Sequence, residues 1–378
     1  MPKITDIRFI VLSAPLPAGQ TYGMAKLLTG ARTTTLVVLE TDEGIQGLGE
    51  ARNAPGANVG MLAMLKGYLV GVDLTDVEHV FSRVMARHYH FGMQGALVSA
   101  ISGIDIAAKD ALGKALGLPV CRLIGGRRLE RVPVYASGGY LTPDSDRDLP
   151  PQIEAMAAAG HKAVKIKIGQ HPARDGMRAR VAREILGDDV ELMVDINGNY
   201  TLDLARASIR AMEPARVAWV EEPLAPADVA GYAELRRWGA VPIATGEALY
   251  TAHDFLRLLA AGGADVVQPD LCLGGGFWQG CRTADLAELH HARLSPHVWG
   301  SAVGLAAAVH FVASRAAYPQ AQDEPWPSLI EYDVSENPLR DQLLAEPMEA
   351  VNGFIAVPDG PGLGIALDWD VVKRHQVG

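Results

Sequence analysis

Five successive apolar runs in the second half of the chain each end in one ionisable residue. Asp195 closes Glu191-Leu192-Met193-Val194, Glu221 closes Val217-Ala218-Trp219-Val220, and Glu247 follows Val241-Pro242-Ile243-Ala244-Thr245-Gly246. Asp270 follows Asp265-Val266-Val267-Gln268-Pro269, and His297 follows Leu294-Ser295-Pro296. The intervals are 26, 26, 23 and 27 residues. One strand, one helix and two short loops occupy about 25 to 30 residues, so each interval fits one βα unit. Parallel units of this kind close into a barrel whose strand ends share one mouth, where barrel enzymes keep their chemistry. The ladder therefore predicts five side chains from five strands meeting at one place.

The rest of the chain fits around this ladder. Residues 3–13, 33–41 and 45–50 read as strands, and 57–68, 74–87 and 93–116 as helices. The stretches Gly19-Gln20-Thr21-Tyr22-Gly23-Met24 and Ala51-Arg52-Asn53-Ala54-Pro55-Gly56 have no periodicity and read as surface loops, the usual place for substrate-facing side chains. Residues 1–125 thus form an α+β unit without the barrel rhythm. The barrel opens at Val132-Pro133-Val134-Tyr135-Ala136-Ser137 and continues through the strand 163–168. Helices near 149–159, 173–186, 202–212, 226–238, 251–261, 274–291 and 302–315 alternate with strands, and Ser328-Leu329-Ile330-Glu331 is the last strand. Eight strands are expected, with the final helix replaced by a tail. The expected fold is α/β: a (β/α)₇β TIM-type barrel over 126–349 with an N-terminal α+β capping domain over 1–125, completed by the tail at about 350–378.

Composition narrows the function. The 378 residues are 49% hydrophobic and 21% charged, with a net charge of −10 and no basic run, which argues against nucleic acid or an anionic membrane as partner. No apolar run approaches bilayer length, and the N-terminus lacks a signal-peptide core. Cys121, Cys272 and Cys281 are too few and too scattered for a disulfide framework and read as reduced thiols, so the expected location is the cytoplasm.

Asp195, Glu221 and Glu247 put three carboxylates at one mouth, where they repel unless a cation neutralises them. Singly each could be a helix N-cap. In register, with all-oxygen ligation, they suit Mg²⁺ better than zinc. Lys165 and Lys167, two apart on one strand, share a face. Val164, Ile166 and Ile168 are the natural helix-facing set, which leaves the lysines the barrel interior; the opposite orientation would make them outer salt-bridge partners. Inside, each ammonium and the metal would lower the other lysine's pKa and make one a base. Asp270 beside His297 would fix the ring's tautomer and raise its basicity. His290 and His291 read as helix-end residues. His88-Tyr89-His90 resembles a zinc pair but has no strand after it to complete a ligand set. A metal flanked by a lysine and a His–Asp pair suits removal of a proton α to a carboxylate.

At these residues the chain resembles the mandelate racemase subgroup of the enolase superfamily. Lys165-x-Lys167, Asp195/Glu221/Glu247, Asp270–His297 and the terminal Glu331 match that pattern in order and spacing, as do Ser102-Gly103-Ile104-Asp105-Ile106-Ala107 and Gly117-Leu118-Pro119-Val120 in the first unit. The resemblance implies the capped barrel, Mg²⁺ and an ene-diolate mechanism. It implies Lys167 as base for one face of the substrate carbon and His297 for the other, with Lys165 modulating Lys167 and touching the substrate carboxylate. Glu331 would hydrogen-bond that carboxylate in its protonated form. Asn197 looks like a polar contact to substrate or to the metal shell, and the surface loops offer Tyr22, Met24 and Arg52 as substrate-facing side chains. Gln268-Pro269-Asp270-Leu271-Cys272 and Pro296-His297-Val298-Trp299-Gly300 look like acid-sugar enzymes. The tail Glu346-Pro347-Met348-Glu349-Ala350-Val351-Asn352-Gly353, followed by Pro358-Asp359-Gly360-Pro361-Gly362, is similar to that of galactarolactone cycloisomerases. The expected activity is a lyase or isomerase on a small hydroxylated carboxylate, first an acid-sugar dehydratase or sugar-lactone cycloisomerase, with a 2-hydroxy-acid racemase second. A metal-dependent hydrolase and a non-catalytic binding protein stand behind these. The chain is expected to form a homo-oligomer.

Overall fold

The first strand buries apolar residues on both faces: Ile4 and Ile7, with Phe9, pack into one core, and Ile10 and Leu12 into another. The computed structural model describes residues 1–17, 20–52, 54–316 and 328–377. Its first third holds β1 (Ile4–Pro15), β2 (Tyr22–Met24), β3 (Leu27–Thr29), β4 (Ala31–Thr41) and β5 (Gln46–Ala51). β1, β4 and β5 form an antiparallel sheet in that order. β2 and β3 form a hairpin, so the stretch expected as an irregular loop is ordered by backbone pairing; Gly19 and Asn53 of the two expected loops lie outside the described residues.

The long helix Gly95–Leu116 covers the sheet and buries Leu97, Ile101 and Ile104. β5 meets it with almost no spacing. A Cβ on Gly47 would sit 2.0 Å from the Ala107 carbonyl oxygen, and one on Gly49 2.0 Å from that of Gly103. Only glycine lets strand and helix backbones touch this way. Gly47, Gly49 and Ala51 therefore face the helix, and Leu48, Glu50 and Arg52 face the opposite way.

The second part contains β6 (Arg131–Gly138), β7 (Ala163–Lys167), β8 (Glu191–Asp195), β9 (Trp219–Glu221), β10 (Ile243–Thr245), β11 (Val266–Val267), β12 (Arg293–Leu294) and β13 (Ile330–Asp333). These eight parallel strands run in the order β12-β11-β10-β9-β8-β7-β6-β13 and curl into a barrel. Among the described residues no backbone ladder joins β12 to β13. The gap is crossed by Ser295 Oγ donating to Leu329 O at 2.8 Å and Val298 N donating to Glu331 Oε2 at 3.1 Å. Helices follow the strands as the periodicity indicates. One helix, expected near 149–159, is Ser145–Ala158 and opens a turn before Pro150 and Pro151. Residues ahead of a proline are biased out of the helical region, which is why a reading from sequence starts it late.

Tyr135, Ala163, Met193, Trp219, Ala244 and Val266 fill the barrel interior beneath its mouth. Val164, Ile166, Ile168, Leu192 and Val194 pack outward under the helices. The tail straddles both parts. β14 (Phe354–Ala356) pairs antiparallel with β6, Val377 N donates to Val11 O at 3.0 Å, and Val120 N donates to Gly362 O at 2.8 Å. Among the described residues no helix is long and apolar enough to cross a membrane.

Candidate active site

Strand register brings the ladder together. Lys167 pairs with Asp195, and Asp195 pairs with Glu221, across β7, β8 and β9. Three neighbouring strands thus end in functional side chains at one level. Glu247 lies two residues beyond β10, and Asp270 and His297 each lie three residues beyond their short strands. Oxygen atoms of Asp195, Glu221 and Glu247 lie within 4.8 Å of one another. Asp195 and Glu221 are fully buried, and Glu247 is half-buried. Glu221 Oε2 accepts from Gln268 Nε2 at 2.6 Å, and Asp195 Oδ1 accepts from Asn197 N at 2.8 Å.

Both lysines occupy the barrel interior, as the alternation implied. Lys165 Nζ donates to Glu221, lies 2.9 Å from Glu331 Oε1 and 3.7 Å from Asp195 Oδ2. Lys167 Nζ donates to Asp195. Lowered lysine pKa values are expected with a cation at the trio; the protein's own charges, taken alone, raise both. Burial disfavours both charges, yet Glu221 and Glu331 hold Lys165 well above the ordinary lysine range, and Asp195 holds Lys167 above it against the repulsion of Lys165. The carboxylates outnumber the ammonium groups, so each amine is a counter-ion before it is a neighbour of the other. Arg178, buried under β7, donates to the carbonyls of Lys167 at 3.1 Å, Gly139 at 2.8 Å and Ser145 at 2.8 Å, which anchors the strand end that presents Lys167.

On the other side, His297 Nδ1 lies 2.9 Å from Asp270 Oδ2, and Nε2 lies 3.2 Å from Glu247 Oε2 and 3.5 Å from Glu331 Oε2. Burial pulls the imidazole down, but Glu247 and Glu331 outweigh it and leave its pKa raised. Burial likewise pushes Asp270 up, and Arg52 and His297 reverse the shift. Glu331 lies within β13 and is fully buried. It was expected as a protonated carboxyl. Burial favours that form, while the charges of Lys165, His297 and Lys167 lower its pKa; the expectation concerns the carboxyl that faces a bound substrate carboxylate.

The residues expected to face substrate divide. Asn197 is buried with Oδ1 unpartnered, adopts a left-handed φ of 52°, and adjoins Asp195. Tyr22 is engaged elsewhere: its hydroxyl donates to Glu336 O at 2.8 Å and accepts from Ser335 Oγ at 2.9 Å and Arg32 Nη1 at 3.3 Å. Met24 sits half-buried in the hairpin opposite Leu27. Arg52 Nη1 donates to Asp270 Oδ2 at 2.6 Å and lies 2.8 Å from His297 Nδ1, inside the His–Asp pair. His88 Nε2 meets the Tyr68 hydroxyl at 3.1 Å. Sequence reasoning passed over Gln268, whose position two residues before Asp270 was its signal. It also passed over Glu222, a buried carboxylate at φ 40° whose pKa rises through burial first and then the charges of Glu247, Asp195 and Glu221.

Two family models cover most of the chain. Residues 11–125 match the mandelate racemase / muconate lactonizing enzyme N-terminal domain, and residues 148–371 match the enolase C-terminal domain-like family. The chain belongs to the mandelate racemase subgroup of the enolase superfamily. Among its superfamily relatives, D-galactarolactone cycloisomerase of Agrobacterium fabrum is 36% identical over 377 residues, covering 99% of both chains. L-talarate/galactarate dehydratase of Salmonella typhimurium is 33% identical, covering 98% of this chain and 91% of its own. A Streptomyces coelicolor racemase solved with bound magnesium superposes with a TM-score of 0.86 at 31% identity, covering 99% of this chain and all of its own. The superfamily thus makes this chain an enzyme, and its barrel implies a divalent cation. The residues here fit one: three convergent carboxylates, all-oxygen donors, and a buried Glu247 Oε2 that makes no hydrogen bond among the described residues, with the His297 ring near it.

Proposed function

We propose that this enzyme uses Mg²⁺ and removes the proton α to the carboxylate of a sugar acid or its lactone, with departure of the β-oxygen. The observation that carries the reading is the placement of one amine and one imidazole at opposite ends of the carboxylate trio, Lys167 on Asp195 and His297 on Glu247. Asp195, Glu221 and Glu247 would hold the cation, which when bound supplies charge stabilisation for the developing dianion. With those three oxygens turned to a cation, Lys167 would lose its counter-ion Asp195 while Lys165 kept Glu331, and the neighbouring positive charges would favour a neutral Lys167 that accepts a proton. Lys165, beside Glu331, would meet the substrate carboxylate.

Chemically, one base breaks the C–H bond and takes the proton, and the electron pair forms a C=C bond as the β-oxygen leaves. A free hydroxyl departs as water after protonation by the acid on the other face. In a lactone the ring oxygen departs but stays attached, so the product is an isomer. The relatives named as a cycloisomerase and a dehydratase support these two outcomes. Two opposed proton carriers also suit racemisation.

Incubation with Mg²⁺ in deuterated water, across D-galactarolactone and a panel of sugar acids, separates the outcomes. A ring-opened isomer with no loss of water, carrying solvent deuterium, marks cycloisomerisation; loss of water marks dehydration; and α-deuterium with unchanged connectivity marks racemisation. A wild-type enzyme that leaves every member of the panel untouched and exchanges no α-proton would overturn the proposal.

A further inference from the structure

The end of β5 reaches both loops that carry the His–Asp pair. Its sequence is Gly47-Leu48-Gly49-Glu50-Ala51-Arg52, and the small residues lie against the helix Gly95–Leu116, so Glu50 and Arg52 are driven toward the barrel. Glu50 is fully buried. Its carboxylate accepts from Ser301 N at 2.9 Å, Ser301 Oγ at 2.6 Å, Gly304 N at 2.8 Å and Thr34 Oγ1 at 2.6 Å. It thereby caps the helix Ala302–Ala313 from the other domain and fixes the loop that leaves His297. A carboxylate suits that place because the first amides of a helix point outward and carry partial positive charge.

Arg52 grips the second loop. Its backbone N donates to Cys272 O at 2.8 Å, and its Nη1 donates to Asp270 Oδ2, the same oxygen that faces His297 Nδ1. In the tautomer that carries its proton on Nδ1, Nδ1–H and Nη1–H converge on one oxygen, so the aspartate is fixed from two sides and the ring is held in one rotamer, with Nη1 2.8 Å from Nδ1. The Ser99 hydroxyl in turn donates to Arg52 O, which ties this residue back to the long helix.

We propose that Glu50 and Arg52 are positioning residues for the Asp270–His297 pair, and that the capping domain therefore builds half of the acid–base apparatus. Arg52 acts on the pair and not as a ligand of the substrate. The claim uses the function proposed above only where turnover is read.

The first test needs no substrate. In protein labelled with ¹⁵N-histidine and loaded with Mg²⁺, the His297 signals are those lost in His297→Asn, and the Nδ1-bound proton is expected far downfield. Arg52→Gln and Glu50→Gln should move that resonance upfield or abolish it while the other histidine signals stay in place, and Arg52→Lys should restore part of the shift. Should Glu50→Gln fail to fold, Ser301→Ala removes one of the Glu50 contacts and should give a smaller displacement of the same resonance. In turnover of D-galactarolactone, Arg52→Gln should lower kcat about 100-fold with KM changed less than about threefold, the signature of misplacement and not of lost binding. A His297 resonance unmoved in all these variants, or a defect confined to KM, overturns the proposal. A wild type inactive on the whole panel would count against the proposed function, and the resonance test would still decide the role of Glu50 and Arg52.

Discussion

Gly49→Ala tests whether the contact between β5 and its helix sets the site. The new Cβ would lie 2.0 Å from Gly103 O, 2.9 Å from Ala107 N and 3.1 Å from Gly103 C. Cβ contacts under 3.0 Å are essentially never seen, so strand and helix must separate by about 1 Å. All three atoms are backbone, and no rotamer change relieves the clash. Overpacking costs about 1–3 kcal/mol, and this geometry belongs at the upper end, about 3 kcal/mol. Unfolding entropy of about 2.1 cal/mol/K per residue gives roughly 0.8 kcal/mol/K for this chain, so the Tm should fall by about 4 °C. The same displacement moves Glu50 and Arg52, and about 1 Å at a catalytic group lowers turnover about 100-fold. Scanning calorimetry and turnover on D-galactarolactone measure both effects. Gly60→Ala, with nothing within 4 Å of its added Cβ, is the control and should be neutral or slightly stabilising. A Gly49→Ala enzyme with wild-type Tm and wild-type turnover would refute the reasoning.

Lys167→Ala and His297→Asn should each lower turnover by at least about 100-fold while circular dichroism stays native, since each removes one proton carrier. Glu221→Gln should weaken Mg²⁺ binding at least about tenfold in titration calorimetry, because one of three anionic ligands becomes neutral. His310 is buried, its Nε2 faces Leu363 O at 3.1 Å, and burial lowers its pKa to about 4. Its folded pKa lies below the unfolded value near 6.5, so its stabilising contribution is complete above pH 6.5 and is lost as pH falls toward 4, by about 3 kcal/mol in all. Denaturant midpoints from pH 7.5 to 4.5 should fall more steeply in wild type than in His310→Gln; equal slopes would exclude this assignment.

What could be read from the chain was periodic or local. The ladder spacing fixed the order of Asp195, Glu221, Glu247, Asp270 and His297, and the two-residue repeat set Lys165 and Lys167 facing inward, because strand side chains alternate regardless of partner. What escaped was long-range or electrostatic. Arg52 meets Asp270 across 218 residues, and Glu50 meets Ser301 across 251, contacts that only domain docking creates. The pKa shifts of the two lysines depend on which charge is nearest, and a spacing pattern does not encode distance. Tyr22 reads from sequence as a substrate-facing residue of a surface loop, but its hydroxyl joins the capping strands to Glu336, which no local pattern announces.

Glu331 also helps to close the barrel between β12 and β13, where no backbone ladder is seen among the described residues. Its Oε2 receives Val298 N, one residue past His297, while its Oε1 faces Lys165. A residue with this double duty resists simple dissection: truncation to alanine unfastens the wall that carries the imidazole, and inactivity would then say little about proton chemistry. Glutamine keeps an oxygen for the amide and removes the charge, so only that replacement separates the carboxylate's chemical role from its mechanical one.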